Sequence, residues 1–219
     1  MGLKIYGVLR SRASRPVWLA KELGLPFERV PVIQAYRLER PDAPDAPLNT
    51  ASPAFRAINP NGLIPSIDDD GFVLHESLAI TLYLACKHGG PLALRDARET
   101  GLVTMWTLWA VTRCEPHALA VLQRFPASAK DHDPAAARAA VDALREPFGV
   151  LDAALRDGGG FAVGGRFTVA DVNLAEVFRY AQPAEELFAA HPRVQRWLAA
   201  CQSRPAFREM MAERETEPL

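Results

Sequence analysis

The residues best suited by type and spacing to do chemistry lie between Ile58 and Ser77. Glu76-Ser77 opens an apolar helical run, Leu78 to Lys87, which Gly89-Gly90 stops. A serine hydroxyl beside the free N–H groups of a helix start makes an anion site. A carboxylate next to it suits an ammonium, so the pair would hold the α-amino-acid end of a small peptide. Upstream, Asn59-Pro60-Asn61-Gly62 is dense turn chemistry. Ile64 to Ile67 and Phe72 to Leu74 are short β-prone runs, with Asp70-Gly71 between them as a hairpin signal. Pro65 cannot donate to a ladder, so its strand lies at a sheet edge or begins there. A cis bond before Pro65 would turn the backbone of Ile64 outward, free to pair with a ligand.

The elements that must position these residues follow from the rest of the chain. Leu3 to Val8 reads as a first strand. Pro16 suits the first position of a helix through Trp18, Leu19 and Leu23, which Gly24 ends. Ser14 is then expected to cap it. Phe27 to Val32 is a second strand, and strand, helix, strand at this spacing is a right-handed crossover with parallel strands. Residues 35 to 57 hold Pro41, Pro44, Pro47 and Pro53, which argues against long regular structure. The hairpin and the Glu76-Ser77 helix complete the order of a thioredoxin-like domain. Past Gly89-Gly90-Pro91 strand-like alternation ceases, and Ala, Leu and Arg dominate. Ala93 to Phe125 carries a long helical pattern that Pro116 should kink or break. Asp133-Pro134 starts a helix towards Arg156, closed by Gly158-Gly159-Gly160. Thr168 and Asp171 are spaced for reciprocal capping bonds, with Phe167 and Val172 placed for a staple across them. Pro183, Pro192 and Pro205 punctuate shorter helices. The expected fold is α/β followed by all-α, a helical bundle.

Asn59-Pro60-Asn61-Gly62-Leu63-Ile64-Pro65 and Glu76-Ser77-Leu78-Ala79-Ile80, at this spacing, resemble the cytosolic glutathione transferases of the serine type, including bacterial members. The resemblance covers nearly the whole chain. It implies a thioredoxin-like glutathione-binding domain over 1–84, a linker over 85–91 and an all-helical domain over 92–219. It implies that Ile64, before a cis Pro65, pairs with the cysteinyl backbone of glutathione, and that Glu76 and Ser77 take the γ-glutamyl end. Where thioredoxin-like redox proteins carry Cys-x-x-Cys, this chain has Ser11-Arg12-Ala13-Ser14, so dithiol exchange by its own cysteines is excluded there. Matching this stretch to the family puts Ser11 at the catalytic serine, which donates to the glutathione thiolate. Ser14 is the rival, with helix capping as its structural reading. Tyr6 is a second rival, with sheet packing as its own. Arg12 and Arg15 would add positive potential near the sulfur or be solvated loop arginines. Trp106, Trp109, Arg113 and His117 fall on one helix face. In the family this face lines the pocket for the second, hydrophobic substrate; otherwise the tryptophans are core. Two contacts to the glycyl carboxylate depart from the family pattern. Leu63 stands at a Lys or Gln position, and Asn49 to Pro53 supplies no lysine, leaving Asn49, Arg37, Arg40 or Arg56 as substitutes.

Composition agrees. The chain has 219 residues, 49% hydrophobic and 23% charged, with net charge −1, so no footprint for nucleic acid or an anionic membrane is expected. The uncharged run Leu78 to Cys86 is far short of the roughly 20 residues of a membrane span. Met1 to Arg10 lacks a signal-peptide core, and Tyr6 stands where myristoylation requires Ser or Thr. Cys86, Cys114 and Cys201 are scattered, as for reduced thiols in a cytoplasm. Cys114 reads as packing, and no Cys/His spacing suggests a metal. The function implied is transfer of glutathione to a hydrophobic electrophile, with glutathione as cosubstrate, no metal and a homodimeric state. The alternative is a non-catalytic glutathione- or ligand-binding module on the same fold.

Overall fold

The computed structural model describes residues 2–217. The chain divides into two compact units, Met1–Gly90 together with Pro205–Leu219, and Pro91–Arg204.

The first unit holds a four-stranded sheet in the order β2-β1-β3-β4. Strand β1 (Leu3–Tyr6) pairs parallel with β2 (Phe27–Val30) and antiparallel with β3 (Ser66–Asp69), which pairs antiparallel with β4 (Phe72–His75). Ile5 sits opposite Ile67, both fully buried, which sets the register by core packing. Helix α1 (Ser14–Glu22) buries Val17, Trp18, Leu19 and Ala20, and Gly24 takes the left-handed conformation just past its end. Helix α3 (Ser77–His88) buries Ile80, Thr81, Leu84 and Ala85. Between β2 and β3 regular structure is short: a single 3-10 turn at Ala35–Arg37 and the four-residue helix α2 (Pro53–Arg56). Asn49 ties this segment together. Its side-chain amide donates to the carbonyls of Pro41 and Pro47, and its oxygen accepts from the Ala51 N–H.

The second unit is helical: α4 (Ala97–Trp109), α5 (Glu115–Arg124), α6 (Pro134–Asp157), α7 (Val169–Phe178), α8 (Glu185–Ala190) and α9 (Pro192–Gln202). Pro116 does not break the α4–α5 run. A π turn at Ala110–Cys114 precedes it and widens the helix where the proline cannot donate. Helix α6 begins as expected, with the Asp133 carboxylate accepting from the Ala136 N–H and Pro134 in the first turn. Helix α7 is buried along its whole length and starts from the reciprocal Thr168–Asp171 cap. Phe148, Phe178, Phe188 and Trp197 form the aromatic centre of the bundle.

Two expectations need correction. Ser14 is the first residue of α1 and not its cap; Ala13 holds that place in helical dihedrals with no capping side chain. The last helix, α10 (Pro205–Thr216), groups by its contacts with the first unit. It buries Phe207 and Met210, and Phe207 meets Trp18 of α1 edge-on with ring centroids 4.9 Å apart. Among the described residues no helix is long and apolar enough to cross a membrane.

Candidate active site

The site in the first unit is built on close backbone approach. Gly7, just past β1, has φ 140. A Cβ there would lie 2.9 Å from the Ala13 Cβ and 3.3 Å from the Ile64 Cβ, so only glycine lets the β1–α1 turn and the Ile64-Pro65 loop meet.

Ser11 is partly exposed on that turn. Its hydroxyl donates to the Val8 carbonyl at 2.6 Å and accepts from the Ala13 N–H at 3.0 Å. The incoming N–H polarises the hydroxyl and strengthens it as a donor. A serine has one proton to give, so serving an incoming thiolate means rotating it off Val8. Ser14 is fully buried, and its hydroxyl donates to the Ser11 carbonyl at 3.1 Å, bracing the turn from beneath. Tyr6 packs with Val32 and Phe55, and burial, then the Asp68 charge, holds its phenol proton on more tightly than usual. Both rival side chains are buried inside the unit, Tyr6 in the packing of the sheet and Ser14 without capping α1.

The Ile64-Pro65 bond is cis, and β3 begins only at Ser66, so the Ile64 backbone lies outside the ladder. Asn59, buried, holds the approach to it: its amide donates to the Leu63 carbonyl at 2.7 Å and to the Ser66 hydroxyl at 3.1 Å, while its oxygen accepts from the Asn61 N–H. Gly62, at φ 62, passes so close to Thr50 that a Cβ would lie 2.7 Å from its carbonyl oxygen. Leu63 is 61% exposed.

Glu76 precedes α3 at φ 67, an unusual conformation for a side-chain-bearing residue, and no side chain caps the helix. Its carboxylate is exposed. Ser77, 5% exposed, accepts from the Arg15 Nη1 at 3.1 Å. Arg15 is 1% exposed, so it is no solvated loop arginine; it fixes Ser77 from behind. Arg12 is exposed. Asn49 is consumed by the loop it ties and is no carboxylate contact. Arg37 donates to the Arg10 carbonyl, and Arg56 lies against Gly62. Sequence reasoning missed Gly7, Asn59 and Arg15 as organisers. The first signals itself only as a glycine closing a strand, and Arg15 looks like any loop cation until its burial is known.

In the second unit, Trp106 is buried and meets Trp109 edge-on at 5.0 Å, and Trp109 stacks on Phe178 at 6.2 Å. Arg113 is exposed and His117 half-buried. Burial pushes the Cys114 thiol up to about 12 despite the Arg113 charge, so it stays protonated and unreactive. Among the described residues no group of three or more His, Cys, Asp and Glu is placed to hold a metal ion.

Comparison with known proteins gives the class. Residues 11–87 match the model of the glutathione S-transferase N-terminal domain, and residues 134–200 match that of the C-terminal domain. The chain is 28% identical over 216 residues to a glutathione S-transferase of Hyoscyamus muticus, covering 94% of this chain and 96% of that one. It is 30% identical to glutathione S-transferase III in its apo form, with a TM-score of 0.80 and full coverage of both chains. A theta-class glutathione S-transferase from Xanthomonas axonopodis pv. citri, solved with glutathione bound, is 26% identical with a TM-score of 0.76, covering 95% of this chain and 97% of that one. The chain belongs to the glutathione S-transferase family, with its thioredoxin-like domain followed by a helical one.

Proposed function

We propose that this glutathione transferase activates the thiol of glutathione with the Ser11 hydroxyl and directs the thiolate to a hydrophobic electrophile. Glutathione is the cosubstrate; its cysteinyl backbone pairs with Ile64 beside Pro65, and its γ-glutamyl end lies against Glu76 and Ser77. The observation that carries this reading is the Ser11 hydroxyl, partly exposed, polarised by the Ala13 N–H and borne on the turn that Gly7 lets approach the Ile64-Pro65 loop. The magnitudes are adequate. Lowering a thiol from about 8.5 to about 6.5 needs roughly 2.7 kcal/mol. A charge-assisted hydrogen bond of about 1.5–3 kcal/mol and a helix-start field of about 0.3–1 kcal/mol supply that. No protein nucleophile is required, because the cosubstrate brings the sulfur and the protein brings orientation and electrostatics.

Residues 1–84 serve as the glutathione-binding domain and 92–219 follow the linker 85–91, with α10 returning to the first unit. Trp106, Trp109 and Arg113 contribute to the electrophile wall, Arg113 as its solvated, cationic end. The protein works as a cytoplasmic homodimer, which sedimentation at micromolar concentration tests. With Leu63 at the exposed turn and Asn49 committed elsewhere, the glycyl carboxylate loses charged contacts, and affinity for glutathione is about ten- to a hundredfold below that of a site holding them.

The test is calorimetric titration of glutathione into wild type and Ser11→Ala, with thiolate absorbance followed against pH. Binding in both, with the thiolate pKa lowered only in wild type, is expected. An equally lowered pKa in both overturns Ser11 as the donor, and no binding at millimolar glutathione overturns the whole reading.

A further inference from the structure

Helix α10 carries a carboxylate row that ends on the turn bearing Ser11. Glu209 and Glu213 meet the Lys21 ammonium of α1 at 2.6 and 2.7 Å. Arg29 of β2 lies 3.6 Å from Glu213 and 3.5 Å from Glu217. These residues recur every fourth position, so the row is one helical face continued just past Thr216. Glu217, with a side chain 7% exposed, does more than pair with Arg29. Its Oε2 accepts from the Leu9 N–H at 2.7 Å and from the Arg10 N–H at 3.3 Å. Arg214 completes the grip by donating from Nε to the Leu9 carbonyl at 3.2 Å.

The Val8–Leu9 peptide unit is therefore bonded on both sides. Its N–H points to the Glu217 carboxylate, and its carbonyl oxygen takes the proton of Ser11. A rigid planar peptide transmits the position of one side to the other, so the carboxylate fixes the backbone of the turn that carries Ser11, including the Val8 carbonyl on which its hydroxyl rests before it rotates to the sulfur. A turn without regular secondary structure needs such pinning, because its backbone bonds otherwise go to water.

We infer that Glu217 is a positioning residue for glutathione activation: through the Val8–Leu9 peptide it holds the β1–α1 turn so that the Ser11 hydroxyl faces the bound sulfur. This rests on Ser11 being the activating donor. Glu217 touches neither glutathione nor the electrophile; it acts through the turn. Charge-assisted bonds to backbone N–H groups are the stronger kind, and a glutamine keeps the shape but loses the charge.

The experiment compares full-length wild type, Glu217→Gln, Ser11→Ala and the double variant. It reads the pH dependence of kcat/KM with an activated aryl halide and the affinity for S-methylglutathione, which lacks the thiol. Glu217→Gln is expected to move the profile to higher pH and to cut kcat/KM at neutral pH by about three- to tenfold, the effect of raising a thiol pKa by about half a unit to one unit. S-methylglutathione affinity stays within about twofold, because uniform binding is untouched. Within the Ser11→Ala background the substitution adds no further loss. An unchanged profile in Glu217→Gln, or an equal loss in both backgrounds, overturns the inference. A wild-type profile in Ser11→Ala alone overturns instead the assignment of Ser11, so the two failures are distinguishable.

Discussion

Helices α3 and α7 both start with a hydroxyl and a carboxylate, and their donors and acceptors are used in opposite ways. At α7, Asp171 accepts from the Thr168 N–H, the Thr168 hydroxyl, the Ala162 N–H and the Trp197 indole, while Thr168 caps the first turn. Every group there faces another group of the same bundle. At α3 no side chain caps the first turn, Glu76 stands exposed at positive φ, and the Ser77 hydroxyl accepts from Arg15. A closed helix start contributes stability; an open one keeps its N–H groups and its field for a ligand. The comparison teaches that the residue types alone do not separate folding from binding. What separates them is whether the bonds have been used.

The largest effect should come from opening the closed start. Asp171→Ala leaves the indole and two backbone N–H groups buried without an acceptor, and is expected to destabilise the protein by about 3–5 kcal/mol. Urea unfolding monitored by tryptophan fluorescence measures this. A loss under about 1 kcal/mol would mean that the cap is not what holds α7. Next in size is the open start. Glu76→Gln removes a carboxylate that makes no capping bond, so the unfolding midpoint should hold while glutathione affinity falls about tenfold by calorimetry. If stability fell and affinity did not, the assignment of the two starts would be reversed. A sharper version is Glu76→Gly, which relieves the positive φ. We expect a stability gain of up to about 1 kcal/mol with the same loss of affinity, since strain is retained where function needs the geometry.

Much of this was legible in the sequence because the determinants are local. The Thr168–Asp171 cap, the Asp133-Pro134 start, the helix opening at Ser77 and the cis bond before Pro65 each depend on residues within a few positions. What escaped depends on distance. Glu217 reaches the Leu9 N–H across 208 residues of chain, and no spacing rule connects them. Arg15 reads as a loop cation because its partner, Ser77, lies 62 residues on. Pro116 reads as a helix breaker because the compensating π turn is a backbone adjustment with no residue signature of its own. Asn49 looked available for a ligand, and only the folded loop shows its amide already donating twice.

The smallest effect extends the comparison to acid. Two of the buried carboxylates, Asp171 and Asp69, differ in the sign of their response. Burial pushes the Asp171 carboxyl up, against the bonds it accepts. Burial also pushes Asp69 up, but hydrogen bonds from Lys87 and Tyr83 at 2.6 and 2.8 Å outweigh it, and its carboxyl sits below the ordinary 3.8. Below that value the unfolded chain takes up the proton first, so the Asp69 contribution is fully present above about 4 and is lost as pH falls through the lower, folded value. Asp171, raised, behaves oppositely: its proton binds the folded state more readily, so acidification through its range favours folding. Asp69→Asn should therefore flatten the acid limb of stability below about pH 4 while leaving the slope above it unchanged. Because Lys87 is 39% exposed, the effect is small and shrinks further with added salt. Thermal melts from pH 3 to 6 at low and high ionic strength would show it, and an unaltered acid limb would mean that the Asp69–Lys87–Tyr83 group contributes nothing that titrates.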